Sequence, residues 1–436
     1  MSITKKFSDF ICAPVAPSPE VAKIVDLCLL DWASVLYAGR HEPVARLIRE
    51  QVMHDGGKAE SHVSGSKRRL PARAASLING VTSHALDYDD THFASLGHPS
   101  VTVFPAVVAV ADRIGATMQQ VKNAALIGAD TAIRMGIWLG RNHYRKGFHI
   151  TGTAGAFGAT AGVAHLLRLS KLQTQMALGI TSSMASGVKA QFGTMAKPMH
   201  AGLAACAGVD AVIWAKAGMI AAKDGVAEPQ GFGATHSAEF DDTAFEGLGA
   251  KYLLSEISHK FHACCHGTHA MLEALQDLKK AYKLKPENIK ILQIFVHPQY
   301  LDICNIYEPE TALEVKFSYR QLAAMLLYDI PTNCLDSYTD AISSDENIRA
   351  LRSRVTIQPD LGQSETSAKV VIQTSKGNFL SSDHDFSKPL CIISREQKIL
   401  SKSESLMGKN HTAKLWSLIK QEQSSQNKIG SLLILP

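Results

Sequence analysis

Alanine and glycine crowd the middle of this chain. Ala154-Gly155-Ala156, Ala159-Thr160-Ala161-Gly162 and residues 201–208 leave almost no side chain on whole turns of predicted helix. Small side chains let helix backbones approach closely, so these segments belong inside a tightly packed bundle. Helical patterning surrounds them. Ser18-Pro19-Glu20 sets a cap residue and an N1 proline ahead of residues 21–38, where Val21, Ile24, Val25, Cys28, Leu29, Trp32 and Leu36 recur at helical spacing. The spacing predicts further helices over 72–86, 101–114, 118–139 and 155–167, with no fixed-period repeat.

After Glu256 the character changes. IKILQIFV at 289–296 is a β-type run closed by His297-Pro298; 354–358 and 369–374 are strand candidates, and Lys376-Gly377-Asn378 is a turn before Phe379-Leu380. Residues 319–327 and 346–351 read as helices between them, and 396–421 as polar helix again. The organisation expected is a large helical domain over 1–257, an α+β domain over 258–392, and a segment 393–436 that returns to the helices.

Charged residues make up 19% of the 436, with a formal net charge of +5. That balance argues against a nucleic-acid partner, and Lys67-Arg68-Arg69 is too short to make a basic stripe. The eight cysteines (Cys12, Cys28, Cys206, Cys264, Cys265, Cys304, Cys334, Cys391) form no C-x-x-C pair. A disulfide scaffold, a zinc ribbon and an iron–sulfur cluster are therefore not expected. Residues 1–10 are polar with no apolar run behind them, so no secretory signal is read. The most apolar stretch, 203–222, carries Asp210 and Lys216 and reads as a buried helix, with no membrane partner and a cytoplasmic location expected.

Five polar clusters carry the chemistry. His84-Ala85-Leu86-Asp87-Tyr88-Asp89-Asp90-Thr91-His92, followed by His98-Pro99-Ser100, sets three carboxylates within four residues. Such crowding is tolerated where the carboxylates are hydrogen-bonded, cap a helix or do work. The plain alternative has Asp89 and Asp90 capping the next helix and His92 facing water; a metal on Asp87, Asp90 and His98 lacks any supporting motif. His143-Tyr144-Arg145-Lys146-Gly147-Phe148-His149 then leads through Ile150-Thr151-Gly152-Thr153 into a small-residue helix, whose free N–H groups suit a carboxylate and would place His149 as a base. A packing turn is the alternative. Lys197-Pro198-Met199-His200 puts a lysine among apolar residues at a helix entrance, as a base, a fixed cation or a structural residue. His259-Lys260-Phe261-His262-Ala263-Cys264-Cys265-His266 packs its ligands too closely for a tetrahedral zinc loop and gives neither cysteine a triad. Lys316-Phe317-Ser318-Tyr319-Arg320-Gln321 opens a helix, with Tyr319 either in a cleft or in the core.

In this order the segments resemble the MmgE/PrpD family, which includes 2-methylcitrate dehydratases, cis-aconitate decarboxylases and iminodisuccinate epimerases. The resemblance runs over residues 22–390. It rests on N-G-x-x-x-H-x-L-D-x-D-D-T (79–91), H-P-S (98–100), G-F-H-x-T-G-T-A-G (147–155), K-P-x-H-x-G (197–202) and K-F-S-x-R-Q around Tyr319. It implies a mainly α protein with a large all-helical domain and a smaller α+β domain, usually a homodimer, needing no cofactor and no metal, and acting on a small di- or tricarboxylic acid. Carried over by motif, Asp87, His98, His149, Lys197 and Tyr319 would be catalytic, and Thr91 and Lys260 would line the substrate with the aligned Cys265; Tyr144 and Gly152 join them from the reading of the second cluster. Cys265 stands where the itaconate-forming decarboxylases have histidine. The leading expectation is thus a hydro-lyase of the 2-methylcitrate dehydratase kind, with an epimerase or a cis-aconitate-type decarboxylase as alternatives. Lys197, Lys260, Thr91 and the N–H groups near Gly152 would hold carboxylates and an enediolate. His149 or Lys197 would be the base and His98, oriented by Asp87, the acid; Tyr144 or Tyr319 would be a second base in an epimerase.

Overall fold

The computed structural model describes residues 2–388, 390–421, 423 and 430. The chain divides into two compact units: Met1–His259 together with the chain from Ile399, and Lys260–Lys398.

Nine helices of the first unit carry the argument: α1 Ile3–Ile11, α2 Pro19–Gly39, α3 Pro43–Asp55, α4 Ala72–His84, α5 Ser100–Ile114, α6 Met118–Arg145, α7 Ile150–Leu166, α8 Lys171–Thr181 and α9 Ala196–Lys216. The Ser18 hydroxyl caps α2 by accepting from the Val21 N–H, with Pro19 at the first helical position. α7 sits at the centre. Every residue on it except His165 is buried, and it packs against α5, α6, α8 and α9. A helix apolar on all sides must be a core helix, which is what its alanines and glycines dictate. α6 was expected to end at Leu139; it continues to Arg145 across a break at Gly140, whose φ of 73° only glycine adopts freely.

The crossing of α4 and α9 matters most for the site. A Cβ on Gly80 would lie 2.6 Å from the Cα of Gly202, so the two backbones touch where neither residue has a side chain. α9 is long and apolar enough to cross a membrane, yet 78% of its most apolar window is buried within the unit, as core helices are.

The polar tail expected over 396–421 forms two helices, Ile392–Met407 and Lys409–Ile419, separated at Gly408 with φ 80°. From Ile399 the tail belongs to the first unit. Ser403 meets Ser34 of α2 at 2.8 Å, and Trp416 lies under the Lys23 ammonium at 4.6 Å. Residues 422, 424–429 and 431–436 of the expected returning segment lie outside the described residues.

The second unit holds one four-stranded sheet in the order β2-β1-β3-β4, with β1 Ile289–Val296, β2 Val355–Pro359, β3 Ser367–Thr374 and β4 Phe379–Asp385. β1 pairs parallel with β2 and antiparallel with β3, which pairs antiparallel with β4. Leu292, Ile294 and Val296 alternate inward, as a strand with one covered face requires. The helix His269–Tyr282 packs on β3 and β4.

Candidate active site

Four helix ends of the first unit build the site: the C-terminus of α4 and the N-termini of α5, α7 and α9. The Lys197 ammonium, on the first turn of α9, lies 2.8 Å from Oδ1 of Asp87, three residues past the end of α4. The Gly80–Gly202 contact makes this reach possible. Asp87 itself is left-handed, with φ 49°, a conformation a non-glycine residue holds only where its surroundings enforce it.

Beside this pair lies a fully buried carboxylate between two imidazoles. Asp89 accepts from Nδ1 of His84 at 2.9 Å and from Nδ1 of His98 at 2.7 Å. Burial alone would raise its carboxyl; His84 and His98 override that and hold it well below the usual range. Burial pushes His98 down to about 4, against the opposing pull of Asp89. A neutral ring that donates Nδ1–H to Asp89 presents a lone pair on Nε2. That nitrogen faces Asp87 Oδ1 at 3.8 Å. Orientation of His98 therefore falls to Asp89, where the sequence had suggested Asp87. The His98 main chain is pinned as well, its N–H donating to the Thr151 hydroxyl at 3.2 Å.

His149, the residue before α7, completes the cluster. Its ring stacks on His84 with centroids 6.0 Å apart, meets the edge of Phe192 at 4.9 Å, and sets Nδ1 3.0 Å from Nδ1 of His200. Burial first, then the charges of His84 and Lys197, hold it well below an ordinary histidine. His98, His149, Lys197 and Asp87 are thus one constellation in space, drawn from residues 110 positions apart.

Other expectations fare differently. The Gly152 N–H donates to the His149 carbonyl at 2.9 Å and is spent within the helix start, so it does not serve a substrate. Gly152 is needed for space, since a Cβ there would strike the Ser186 carbonyl. Thr91 pairs its main chain with Ser258 in both directions at 2.8 Å, which fixes the end of the Asp87–Asp90 loop. Tyr144 carries the Lys189 ammonium 3.5 Å over its ring. His92 does not face water; it is 2% exposed, and burial drives it down to about 4. Asp90 does cap the next helix, accepting from the Ser100 N–H at 3.4 Å and its hydroxyl at 2.5 Å.

Lys260, Cys265 and Tyr319 belong to the second unit. Lys260 is 2% exposed. The Tyr319 hydroxyl donates to the Gly267 carbonyl at 2.8 Å, and burial holds the phenol well above its ordinary value. A phenol kept protonated and already donating is a poor base. Burial likewise lifts the Cys264 thiol to about 12, which removes it as a nucleophile.

Beneath the site runs a second buried network. The Lys402 ammonium, from the returning tail, lies 2.6 Å from Asp31, donates to the Tyr88 carbonyl at 2.5 Å and sits 4.0 Å over the Tyr88 ring. Burial, reinforced by Asp31, raises Asp90 to about 8, so it is largely neutral at pH 7. Two groups among the described residues bring ligand-type atoms within 4.8 Å of one another: His84, Asp87, Asp89 and His98, and Cys28, Asp90 and His259. In the first, Asp89 spends both oxygens on imidazole N–H groups and Asp87 is paired with Lys197, so a cation would have to break bonds already made. In the second, the neighbouring Lys402 charge opposes a cation.

Residues 5–244 match the MmgE/PrpD N-terminal domain, and residues 262–388 match the MmgE/PrpD C-terminal domain. The chain belongs to the MmgE/PrpD family. Among curated relatives, the human cis-aconitate decarboxylase is 26% identical over 309 residues, covering 66% of this chain and 62% of that protein. A cis-aconitate decarboxylase-like protein of Aspergillus oryzae is 28% identical over 272 residues, 58% of this chain and 56% of that protein. The cis-aconitate decarboxylase of Aspergillus terreus is 27% identical over 270 residues, 58% and 55%. The match thus spans about three fifths of each relative's length.

For an MmgE/PrpD chain, the sequence reading omitted His84, Asp89 and His200 from the site. Each lay inside a quoted motif. The usable signal was pairing: a buried carboxylate with a histidine five residues before it and another nine after it, and a histidine one turn beyond Lys197.

Proposed function

We propose that this protein is a lyase that moves a proton at a carbon beside a carboxylate of a small di- or tricarboxylic acid. One observation carries the reading: His98, held by Asp89, and His149 flank the Lys197–Asp87 pair at the N-termini of α5, α7 and α9. A lysine favours a carboxylate, and with three helix dipoles pointing at it, it stabilises the charge that builds up when a neighbouring C–H proton leaves. The lone pair on Nε2 of His98 suits it to take that proton or, once protonated, to return it. The leading assignment is a hydro-lyase on a citrate-like acid: the C–H bond breaks and its proton passes to a neutral imidazole, the electron pair forms the carbon–carbon double bond, and the hydroxide leaves as water by taking that proton.

The named relatives favour a second reading, decarboxylation of cis-aconitate. There a C–C bond breaks, carbon dioxide leaves, the double bond shifts and an imidazolium protonates carbon. Cys265, in place of the decarboxylases' histidine, weighs against it. Purified protein incubated with methylcitrate, cis-aconitate and iminodisuccinate in heavy water separates these. New near-ultraviolet alkene absorbance from methylcitrate marks a dehydratase, carbon dioxide from cis-aconitate a decarboxylase, and deuterium uptake without either an epimerase. No change in any of the three removes the reading. A second copy of this chain is the proposed partner; Trp214, Met219 and Ile220 stand 41%, 50% and 86% exposed around the end of α9, an apolar patch suited to self-association. Light scattering at micromolar concentration checks it.

A further inference from the structure

His98 and His149 are fixed in different ways. His98 leans on a carboxylate, whereas His149 leans on another imidazole, with the two Nδ1 atoms 3.0 Å apart. At that distance one hydrogen lies between them, since two would collide and none would leave two lone pairs in contact. The loop at 186–188 packs beside both residues. The Gly187 carbonyl accepts the His149 main-chain N–H at 3.0 Å, and a Cβ on Gly187 would lie 3.2 Å from Cγ of His200. Gly187, at φ 148°, sets its backbone beside the His200 ring where a side chain would crowd it.

We propose that His200 is a proton relay for His149, sharing one hydrogen across the two Nδ1 atoms and taking it when Nε2 of His149 receives a proton from substrate. This rests on the proton-moving reading of the site and names the residue through which His149 works. At rest His149 carries the hydrogen on Nδ1 and His200 carries its own on Nε2. The substrate C–H bond breaks, its electron pair stays on carbon as the enediolate of the adjoining carboxylate, and the proton goes to Nε2 of His149. The Nδ1 hydrogen of His149 then passes to Nδ1 of His200. His149 ends neutral and His200 ends as an imidazolium; the reverse transfer restores both.

The direction follows from surroundings. The other titratable groups facing His149 are His84, Lys197 and His98; His84 and Lys197 face His200 as well, and His98 does not. Burial disfavours charge on both rings and holds each below an ordinary histidine. Moving the charge on to His200 takes it off the ring that His98 also faces and leaves His149 neutral after each transfer.

The test uses full-length protein labelled with ¹⁵N-histidine, with His149→Gln to assign the ring. At pH 7 the long-range ¹H–¹⁵N spectrum is expected to show His149 protonated on Nδ1, and acidification to charge His200 first. A His149 hydrogen on Nε2 at pH 7, or charging of His149 first, overturns the relay. His200→Asn supplies the second arm, because its amide keeps a hydrogen-bonding group at the Nδ1 position yet accepts no proton. Exchange of solvent deuterium at the substrate carbon is expected to fall about 10²–10³-fold, with melting temperature and KM unchanged. Exogenous imidazole is expected to restore part of the rate to His200→Ala. Exchange by His200→Asn within about 3-fold of the unsubstituted enzyme overturns the proposal, since a positioning role alone survives that change. If the unsubstituted enzyme exchanges no acid at all, the proposed function fails, and the tautomer spectra still decide the relay.

Discussion

Asp89 accepts the Nδ1 hydrogen of His98 at 2.7 Å while holding His84 on its other oxygen at 2.9 Å. This carboxylate, for which helix capping was the plain alternative, is thus what fixes a reactive ring. Replacing it with asparagine keeps the shape and offers an N–H where an acceptor is required, which favours the wrong His98 tautomer. Turnover by Asp89→Asn is expected to fall about 10³-fold, with the fold retained in circular dichroism. Wild-type turnover removes Asp89 from the mechanism.

Lys197→Met deletes the ammonium while keeping the aliphatic stem against Phe192, over which Nζ sits at 5.4 Å. A charged hydrogen bond to a substrate carboxylate is worth about 1.5–3 kcal/mol, so kcat/KM should drop at least tenfold, with most of the change in KM. Lys197→Arg should not recover it, since a planar fork does not fit a point-charge site. Initial-rate kinetics with whichever acid is turned over decide this.

Gly80→Ala tests the helix crossing. A methyl group 2.6 Å from the Gly202 backbone must push α4 off α9, at about 1–3 kcal/mol of overpacking strain. Because Asp87 and Lys197 ride on these helices, activity should fall more steeply than stability. Chemical denaturation alongside turnover measures both, and equal activity in a destabilised variant refutes the link.

Acid should destabilise the protein through its buried rings. His92, His98 and His143 are each lowered by burial to about 4, from 6.5 when unfolded. Between those values the unfolded chain binds more protons than the folded one, so stability is intact above pH 6.5 and is lost as the pH falls toward 4. Asp90 acts oppositely: raised to about 8, it makes the folded form bind the extra proton, and stability declines as pH rises from 3.8 to 8. Melting temperatures for Asp90→Asn and the unsubstituted protein should therefore diverge in favour of the variant as pH climbs from 5 to 8.

Lys402→Met leaves Asp31 buried without its counter-charge and should cost about 3–5 kcal/mol. Pairing it with Asp31→Leu should return much of that loss. Urea unfolding of the single and double variants measures the coupling.

Much of the scaffold was legible because it follows from local rules. The Ser18-Pro19 start and the alternation in Ile289–Val296 are properties of a few adjacent residues. The cluster at His98, His149 and Lys197 was legible by resemblance, since each side chain sits at a helix entrance with its own motif. What stayed hidden depends on partners far along the chain. Nothing beside Asp89 tells it from Asp90, yet one bridges two imidazoles and the other, neutral, caps α5. Gly152 looked like an anion cradle because helix starts usually are; its N–H was already committed to His149. His92 looked exposed for want of any sign that the fold would close over it.

The grip of Lys402 on the Tyr88 carbonyl joins positions 314 residues apart. During synthesis, the loop bearing Asp87 and Asp89 leaves the ribosome long before the lysine that anchors it. At about 5–20 residues per second, tens of seconds separate the two. Throughout that interval the nascent chain carries its proton-handling residues without this tie, which forms only when Lys402 emerges. A message cut short before codon 402 would yield a polypeptide with every reactive group present and the Tyr88 carbonyl, between Asp87 and Asp89, without this tie.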